Sequence, residues 1–154
     1  MRIVAGDFGG RRLKAVPGMA TRPTTDKVKE ALFNIIGPYF DGGRSLDLFA
    51  GSGGLSIEAV SRGISQAVLV DRQYAAIQTI KDNVAVTKAP EKFEILKRDA
   101  NKALIELGRR GDQFDLVFFD PPYAQQKILA QMAQLRELKV LAPAARIVCE
   151  TDQQ

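Results

Sequence analysis

The fold of this chain is decided by the stretch Phe114-Asp-Leu-Val-Phe-Phe-Asp-Pro-Pro-Tyr123. It begins with an apolar run typical of buried parallel strands, and Pro121 and Pro122 prevent the strand from continuing. Asp120 and Tyr123 should therefore lie at the carboxyl end of a strand, the edge of an open α/β sheet where ligands bind. A carboxylate, the Pro121 carbonyl and a stacking ring suit a planar substrate with an NH2 group, such as a nucleobase. The alternative is a strand-ending turn with a surface tyrosine.

Around this stretch, strand and helix patterns alternate from residue 44 onward. We predict strands at 44–50, 66–71, 93–98, 114–119 and 145–150, and helices at about 54–62, 73–87, 100–109 and 124–140. Such a series predicts an α/β, Rossmann-like fold, with a mainly parallel sheet covered by helices on both faces.

The amino-terminal part of the chain follows a different pattern. Two short strands, 2–5 and 12–16, are predicted to form a small β-hairpin around a glycine-rich turn. A helix capped by Thr24 or Thr25 should follow, and Gly37-Pro38 should end it. An apolar stripe at helical spacing is expected to face the core, and it comprises Val28, Ala31, Leu32, Ile35 and Ile36.

The composition narrows the chemistry that the chain can perform. Its 154 residues include no histidine, which excludes Ser-His-Asp and Cys-His catalysis and the common zinc sites, so we expect no metal. The single cysteine, Cys149, lies in an apolar run and is predicted to be buried in the core. No apolar run is long enough to span a membrane, and no signal-peptide pattern opens the chain. We therefore expect a cytoplasmic protein.

The net charge of +4 is concentrated near the amino terminus. Residues 1–30 hold seven basic and three acidic side chains, so the remainder of the chain is neutral. A basic segment on a neutral body indicates an arm for a polyanion, with a merely basic surface as the alternative. We expect a single domain over residues 1–154, with the basic segment in 1–37 and the catalytic core in 44–154.

A glycine-rich loop follows the first of the long strands, in Asp47-Leu-Phe-Ala-Gly-Ser-Gly-Gly54. Gly51 and Gly53 allow the backbone to approach a ligand at the amino end of the next helix. The third glycine of the dinucleotide-binding fingerprint is missing, because Ser56 stands at that position. By itself the loop is therefore only a weak indication of a cofactor-binding site.

Three carboxylates at predicted strand ends strengthen the indication of a cofactor-binding site. Asp71 is placed to accept two ribose hydroxyls, Asp99 to meet an adenine edge, and Asp47 to pair with an ammonium group. Each of them could instead cap the next helix. Because no phosphate-binding lysine accompanies them, they would repel a dinucleotide or ATP and attract a cationic ligand that carries a ribose. S-adenosylmethionine is a ligand of that kind.

These blocks resemble the amino-group methyltransferases that use S-adenosylmethionine, whose signature pair is Asp47-Leu-Phe-Ala-Gly-Ser-Gly53 and Asp120-Pro-Pro-Tyr123. The stretch Arg22-Pro-Thr-Thr-Asp-Lys-Val-Lys-Glu-Ala-Leu-Phe33, after Arg2-Ile-Val-Ala-Gly6 and Gly10-Arg-Arg-Leu13, resembles the RsmD-type family in particular. Those bacterial enzymes methylate N2 of a guanine in small-subunit (16S) ribosomal RNA. The resemblance implies a class I methyltransferase fold and a monomer that acts on the small subunit or an assembly intermediate.

The resemblance also implies roles for individual residues. Around the cofactor it places Asp47, Phe49, Ala50, Gly51, Ser52, Gly53, Asp71, Arg72, Asp99 and Ala100. Around the target base it places the catalytic residues Asp120, Pro121, Pro122 and Tyr123. Toward RNA it places Arg11, Arg12, Arg22, Thr24 and Lys27.

One departure from the family concerns the last strands. Class I methyltransferase sheets usually end in an antiparallel hairpin of two further strands, whereas this chain stops at Gln154, just past the last predicted strand. Either the sequence is a truncated form or this member lacks the hairpin. We therefore expect those two strands to be missing from this chain and the edge of the last predicted strand to be exposed.

Three other functions remain open. A DNA adenine or cytosine amino-methyltransferase would use the same Asp-Pro-Pro-Tyr chemistry but normally needs additional sequence for target recognition. The carboxylates and the missing third glycine disfavour a nicotinamide-dependent oxidoreductase. A non-enzymatic RNA-binding assembly factor would need neither the glycine loop nor Asp120-Pro-Pro-Tyr123.

Overall fold

A computed structural model of the chain describes residues 1–18, 25–120 and 125–149, and only the backbone of 125–127. Its strands are β1 (Arg44–Asp47), β2 (Gln66–Asp71), β3 (Phe93–Lys97), β4 (Phe114–Phe118) and β5 (Leu141–Val148). Within the described residues they form one sheet in the order β3-β2-β1-β4-β5, and every neighbouring pair is parallel. The predicted parallel α/β architecture is confirmed.

Helices cover both faces of this sheet. They are α1 (Asp26–Ile36), α2 (Gly54–Ser61), α3 (Tyr74–Thr87), α4 (Ala100–Arg110) and α5 (Gln125–Glu137), and a 3₁₀ turn at Pro90–Lys92 precedes β3. Successive strand residues point to opposite faces, so Phe118 packs with α1, α2 and α3, whereas Phe119 packs with α4 and α5. Among the described residues, no helix has both the length and the apolar character needed to cross a bilayer.

The ends of α1 agree with the prediction. Thr25 Oγ1 accepts a hydrogen bond from the backbone N–H of Val28 at 3.2 Å, which caps the helix; Thr24 lies outside the described residues. The helix ends at Ile36, and the N–H of Gly37 donates to the Phe33 carbonyl at 2.8 Å.

The buried face of α1 differs from the predicted one. The buried residues are Lys29, Phe33 and Ile36, whereas Val28 and Ile35 are 50% and 79% exposed. The predicted core-facing stripe is therefore wrong for Val28, Ala31 and Ile35, since Ala31 is exposed as well. The physical reason is that Lys29 turns toward the core, where an acidic side chain compensates its charge.

That side chain is Glu58 of α2, the centre of a buried ionic cluster. Lys29 Nζ lies 3.5 Å from Glu58 Oε1 and donates a hydrogen bond to the Arg2 carbonyl at 2.7 Å. Arg62 Nε donates to Glu58 Oε2 at 2.7 Å. Burial lowers the pKa of Lys29, and the negative charge of Glu58 partly opposes that shift. The cluster fixes α1 onto α2.

The amino-terminal segment pairs with itself over a shorter stretch than the predicted strands 2–5 and 12–16. The N–H of Ile3 donates to the Arg11 carbonyl and the N–H of Leu13 to the Met1 carbonyl, both at 2.8 Å. Residues 1–13 fold back on themselves, but the described part of this segment contains one antiparallel bridge, between Arg2 and Arg12. The backbone N–H groups of Val4 and Ala5 donate instead to the two carboxylate oxygens of Glu58, at 2.8 and 3.1 Å. Beyond the short stretch that pairs, Glu58 therefore holds this segment through its backbone.

The strand β5 begins earlier than predicted and lies at one edge of the described sheet. Phe114 pairs with Leu141, but Leu116 pairs with Arg146, so the two strands are out of step between these positions. The start of β5 could not be recognised from the sequence, because Pro143 lies inside the strand and proline normally marks the end of a strand.

Candidate active site

The strand order of the sheet reverses direction between β1 and β4. β2 lies on one side of β1 and β4 on the other, so the loops that follow β1 and β4 diverge at this point of the sheet. Asp47 pairs in register with Phe118, and the rings of Phe49 and Phe119 lie 6.0 Å apart. The structure therefore brings the glycine loop, residues 48–53, beside the end of the strand that leads into Asp120.

Backbone conformation defines the glycine loop. Gly51 and Gly53 have φ angles of +58° and +84°, in the left-handed region that favours glycine. A Cβ atom at Gly53 would lie 3.1 Å from Leu69 Cδ2, whereas at Gly51 no atom of the described residues would come within 4 Å. Gly53 is therefore required by packing, and Gly51 leaves open space in which a ligand can approach the backbone.

Asp71 holds this loop in place. Its Oδ2 accepts a hydrogen bond from the N–H of Gly51 at 3.0 Å, and its Oδ1 accepts one from the N–H of Gln73 at 2.9 Å. A carboxylate can accept about four hydrogen bonds, so the remaining lone pairs are sufficient for two ribose hydroxyls.

The other two carboxylates lie on either side of Asp71. Asp47 is 4% exposed, and its Oδ1 accepts a hydrogen bond from the N–H of Phe49 at 3.1 Å. Asp99 occupies the N-cap position of α4, immediately before the buried Ala100, but its side chain makes no capping hydrogen bond within the described structure. Capping does not account for the carboxylate of Asp99. Arg72, also predicted to contact the cofactor, is exposed.

The end of β4 presents Asp120 to solvent. The buried Phe119 donates a backbone hydrogen bond to the Val148 carbonyl at 2.8 Å, and the exposed Asp120 follows directly. Residues 121–123, which include the predicted catalytic Pro121, Pro122 and Tyr123, lie outside the described residues.

Cys149 is exposed beside this strand end, so its predicted burial in the core is wrong. The physical reason is that Cys149 follows the last residue of β5, at the edge of the described sheet, where no further described strand covers it. Partial burial, together with the negative charge of Asp120, raises the pKa of the Cys149 thiol. The thiol is therefore within electrostatic range of Asp120.

The predicted RNA-facing residues divide into three groups. Arg12 and Lys27 are exposed. Arg11 is half-buried, and its Nη1 donates hydrogen bonds to the carbonyls of Val86 and Thr87, at the end of α3, at 3.2 and 3.0 Å. Two further residues, Arg22 and Thr24, lie outside the described part of the chain.

Sequence reasoning missed Asn83, which contacts the glycine loop from α3. Its side chain is fully buried, and Nδ2 donates hydrogen bonds to the carbonyls of Ser52 and Lys14, at 2.8 and 2.9 Å. Its Oδ1 accepts one from the N–H of Lys14 at 2.8 Å. One signal was available in the sequence, because Asn83 is a polar residue beside Val84 on the apolar face of a helix.

No cluster of three or more aspartate, glutamate, histidine or cysteine side chains suited to a metal ion occurs in residues 1–18, 25–120 and 125–149. The chemistry that this edge of the sheet offers is hydrogen-bond acceptance by carboxylates beside a glycine loop whose backbone at Gly51 faces open space within the described structure.

Over residues 1–154 the chain matches the family described as "Conserved hypothetical protein 95". It is 49% identical over 154 residues to "Putative rRNA methyltransferase YlbH" of Bacillus subtilis strain 168, a match that covers 100% of this chain and 84% of that protein. It is 34% identical over 152 residues to "Ribosomal RNA small subunit methyltransferase D" of Escherichia coli K12, which covers 99% of this chain and 75% of that protein.

A solved structure shares the same fold. The structure titled "Putative methyltransferase yhhF from Escherichia coli" superposes with a TM-score of 0.83 at 35% identity, covering 100% of this chain and 84% of that one. The sheet and its helices are therefore those of a methyltransferase-like fold.

Proposed function

Because this chain belongs to the RsmD/YlbH family, we propose that it transfers a methyl group from S-adenosylmethionine to the exocyclic N2 amine of a guanine in small-subunit (16S) ribosomal RNA. The substrate class follows the E. coli relative, which is named as a small-subunit rRNA methyltransferase. We place the reaction in the cytoplasm, on the small subunit or an assembly intermediate.

The observation that carries the proposal is the adjacency of the carboxyl ends of β1 and β4. The pairing of Asp47 with Phe118 sets the glycine loop and the strand that leads into Asp120 side by side. A methyl donor bound on the loop would therefore lie next to a hydrogen-bond acceptor for an amine. The contact between the rings of Phe49 and Phe119 supports the same arrangement.

The residues present fit S-adenosylmethionine, which supplies an electrophilic methyl group on a sulfonium when it is bound. Asp71 has lone pairs left for the ribose hydroxyls, and the carboxylate of Asp99 is not used as a cap. Asp47 would pair with the ammonium group. Ala50, Gly51, Ser52 and Gly53 would present backbone groups, and Phe49, Arg72 and Ala100 would complete the surroundings. The acidic character of this edge suits a cation and disfavours a dinucleotide.

The chain's own contribution to the chemistry would be to position and polarise the amine. The lone pair of the guanine amine is delocalised into the ring, so the nitrogen is a poor nucleophile. We infer that Asp120 and the Pro121 carbonyl accept hydrogen bonds from its two N–H groups. Pro122 would restrict the backbone beside them, and Tyr123 would stack on the unstacked base. These acceptors interact more strongly as positive charge grows on the nitrogen, which lowers the barrier.

Phosphate contacts would come from the basic amino-terminal part of the chain. Arg12 and Lys27 are exposed and available for this role, and we assign the same role to Arg22 and Thr24. Arg11 Nη1 donates hydrogen bonds to the end of α3, and we propose that the same side chain also contacts RNA. Such contacts orient the protein without reading sequence, so affinity should fall steeply with added salt.

The test is incubation with labelled S-adenosylmethionine and, separately, small ribosomal subunits, deproteinised rRNA and DNA, followed by nucleoside analysis. N2-methylguanosine in the RNA supports the proposal. Methylated adenine or cytosine in DNA would favour a DNA amino-methyltransferase. Binding of the product S-adenosylhomocysteine without any methyl transfer would favour an RNA-binding assembly factor.

Variants at Asp120 test the site itself. Asp120→Asn should lower the methylation rate by about 10²- to 10³-fold, as expected for loss of a preorganised polar group in a transition state. Affinity for S-adenosylhomocysteine should remain close to that of the unmodified chain. Asp41→Asn is the matched control, because Asp41 is exposed and precedes β1, at the opposite edge of the sheet. An unchanged rate in Asp120→Asn would exclude the proposed role.

A further inference from the structure

We propose that Asn83 is a positioning residue that couples binding of RNA at the amino-terminal segment, residues 1–18, to binding of the cofactor at the glycine loop. This inference rests on the proposed function and adds regulation of the same site. Asn83 belongs to α3 and is assigned no direct contact with either ligand, so its effect must pass through the two backbone segments that it joins.

The amide of Asn83 is oriented without ambiguity. The N–H of Lys14 requires an acceptor, and the carbonyls of Lys14 and Ser52 require donors. Only an amide meets all three requirements, since a carboxylate lacks donors and a hydroxyl has one. Both N–H bonds of Asn83 are used, one on each segment, so neither segment can shift without breaking a hydrogen bond in a fully buried site.

Further contacts hold the amino-terminal segment against the same region. Lys14 Nζ lies 3.4 Å from Asp82 Oδ2 in an exposed ion pair, next to the buried amide of Asn83. The side chain of Met1 reaches the glycine loop, with Sδ 4.0 Å from Ser52 Oγ. The exposed Arg12, proposed to contact phosphate, lies in the same segment two residues before Lys14. The segment that would meet RNA is therefore in direct contact with the loop that would meet the cofactor.

This arrangement predicts positive coupling. A ligand that orders the glycine loop also holds the Ser52 carbonyl against Asn83, and the same amide fixes the backbone at Lys14. RNA then binds a segment whose backbone at Lys14 is restrained further through the same amide. Coupling between two sites is reciprocal, and typical values change affinity by about 5- to 150-fold.

The first experiment measures the affinity of the full chain for deproteinised small-subunit rRNA with and without saturating S-adenosylhomocysteine. The unmodified chain should bind RNA at least about fivefold more tightly with the ligand present. In Asn83→Ala the ratio should approach one. Lys14→Ala is the matched control, because it removes a positive charge but keeps both backbone hydrogen bonds. It should weaken RNA binding with and without the ligand and leave the ratio unchanged.

The second experiment requires no variant, in case Asn83→Ala does not fold. Hydrogen exchange of the peptide covering residues 12–18 should slow when S-adenosylhomocysteine binds, because the Lys14 N–H is held by Asn83. Ligand binding, confirmed by calorimetry, without this protection and without a change in RNA affinity would overturn the coupling and leave the proposed function intact. Failure to bind S-adenosylhomocysteine at all would overturn both.

Discussion

Lys29 Nζ lies 3.5 Å from Glu58 Oε1, and the two side chains are only 1% and 0% exposed. Glu58 is the centre of this group, because it also accepts hydrogen bonds from Arg62 and from the backbone N–H groups of Val4 and Ala5. Removal of the carboxylate charge therefore leaves more groups unsatisfied than removal of the ammonium.

From this asymmetry we predict that Glu58→Gln is more destabilising than Lys29→Met. Removing one partner of a buried ion pair typically costs about 3–5 kcal/mol in the free energy of unfolding. Glu58→Gln should lie in that range, and Lys29→Met should cost less because Arg62 still pairs with Glu58. The control, Lys14→Met, breaks an exposed pair and should cost at most about 1 kcal/mol. Urea denaturation measures all three, and equal losses for Glu58→Gln and Lys29→Met would contradict the assignment.

The two glycines of the loop should respond differently to alanine. Gly51→Ala should cost about 1–2 kcal/mol of stability, since only the left-handed backbone conformation opposes it. Gly53→Ala adds a contact of 3.1 Å with Leu69 Cδ2 and should cost more. Denaturation gives the two stabilities. Titration calorimetry with S-adenosylhomocysteine should show weaker binding for Gly51→Ala, although the variant still folds. An unchanged affinity would show that the ligand does not contact the loop at Gly51.

Acid should weaken a surface ion pair between β3 and α4. Two hydrogen bonds from Arg110, at 2.9 and 2.8 Å, hold the pKa of Glu94 below its usual value of 4.5. The unfolded chain therefore takes up a proton first as the pH falls. The stabilisation is complete above the unfolded pKa and is lost as the pH falls through the folded one. The side chains of Arg110 and Glu94 are 35% and 39% exposed, so solvent screens their interaction. The contribution of the ion pair to the free energy of unfolding should therefore stay below about 1 kcal/mol. In Glu94→Gln the free energy of unfolding should fall less steeply at acid pH than in the unmodified chain. Parallel curves of this free energy against pH would refute the pairing.

The thiol of Cys149 reports on the position of Asp120. Because the pKa of Cys149 is raised above its usual value of 9.0, alkylation by iodoacetamide at neutral pH should be slow although the thiol is exposed. Asp120→Asn removes a nearby negative charge and should shift the pH profile of alkylation toward lower pH. Mass spectrometry of the intact chain follows the rate. An identical profile in the variant would place Asp120 away from Cys149.

The sheet and the adjacency of the β1 and β4 ends were predictable because they depend on patterns along the sequence. The apolar run before Asp120 and the glycine loop after Asp47 each mark the end of a strand. The parallel arrangement brings such ends to one edge. The three carboxylates at 47, 71 and 99 could be found in the same way, since each follows or ends a strand.

The remaining features were not predictable because they depend on partners distant in sequence. Nothing near Lys29 indicates burial, since its partner Glu58 belongs to another helix. In the amino-terminal segment the backbone N–H groups of Val4 and Ala5 donate to Glu58 and that of Lys14 donates to Asn83, which no local pattern reveals. Cys149 has apolar neighbours in sequence, but the edge position of β5 decides its exposure.

The way in which Glu58 holds the amino-terminal segment has a consequence for how the sequence can diverge. Its partners at Val4 and Ala5 are main-chain N–H groups, which every residue except proline possesses. Substitutions at these two positions can therefore accumulate among related proteins without loosening the attachment. Glu58 has no such freedom, because its side chain makes the contact. Related proteins are therefore expected to vary at positions 4 and 5 and to keep glutamate at position 58.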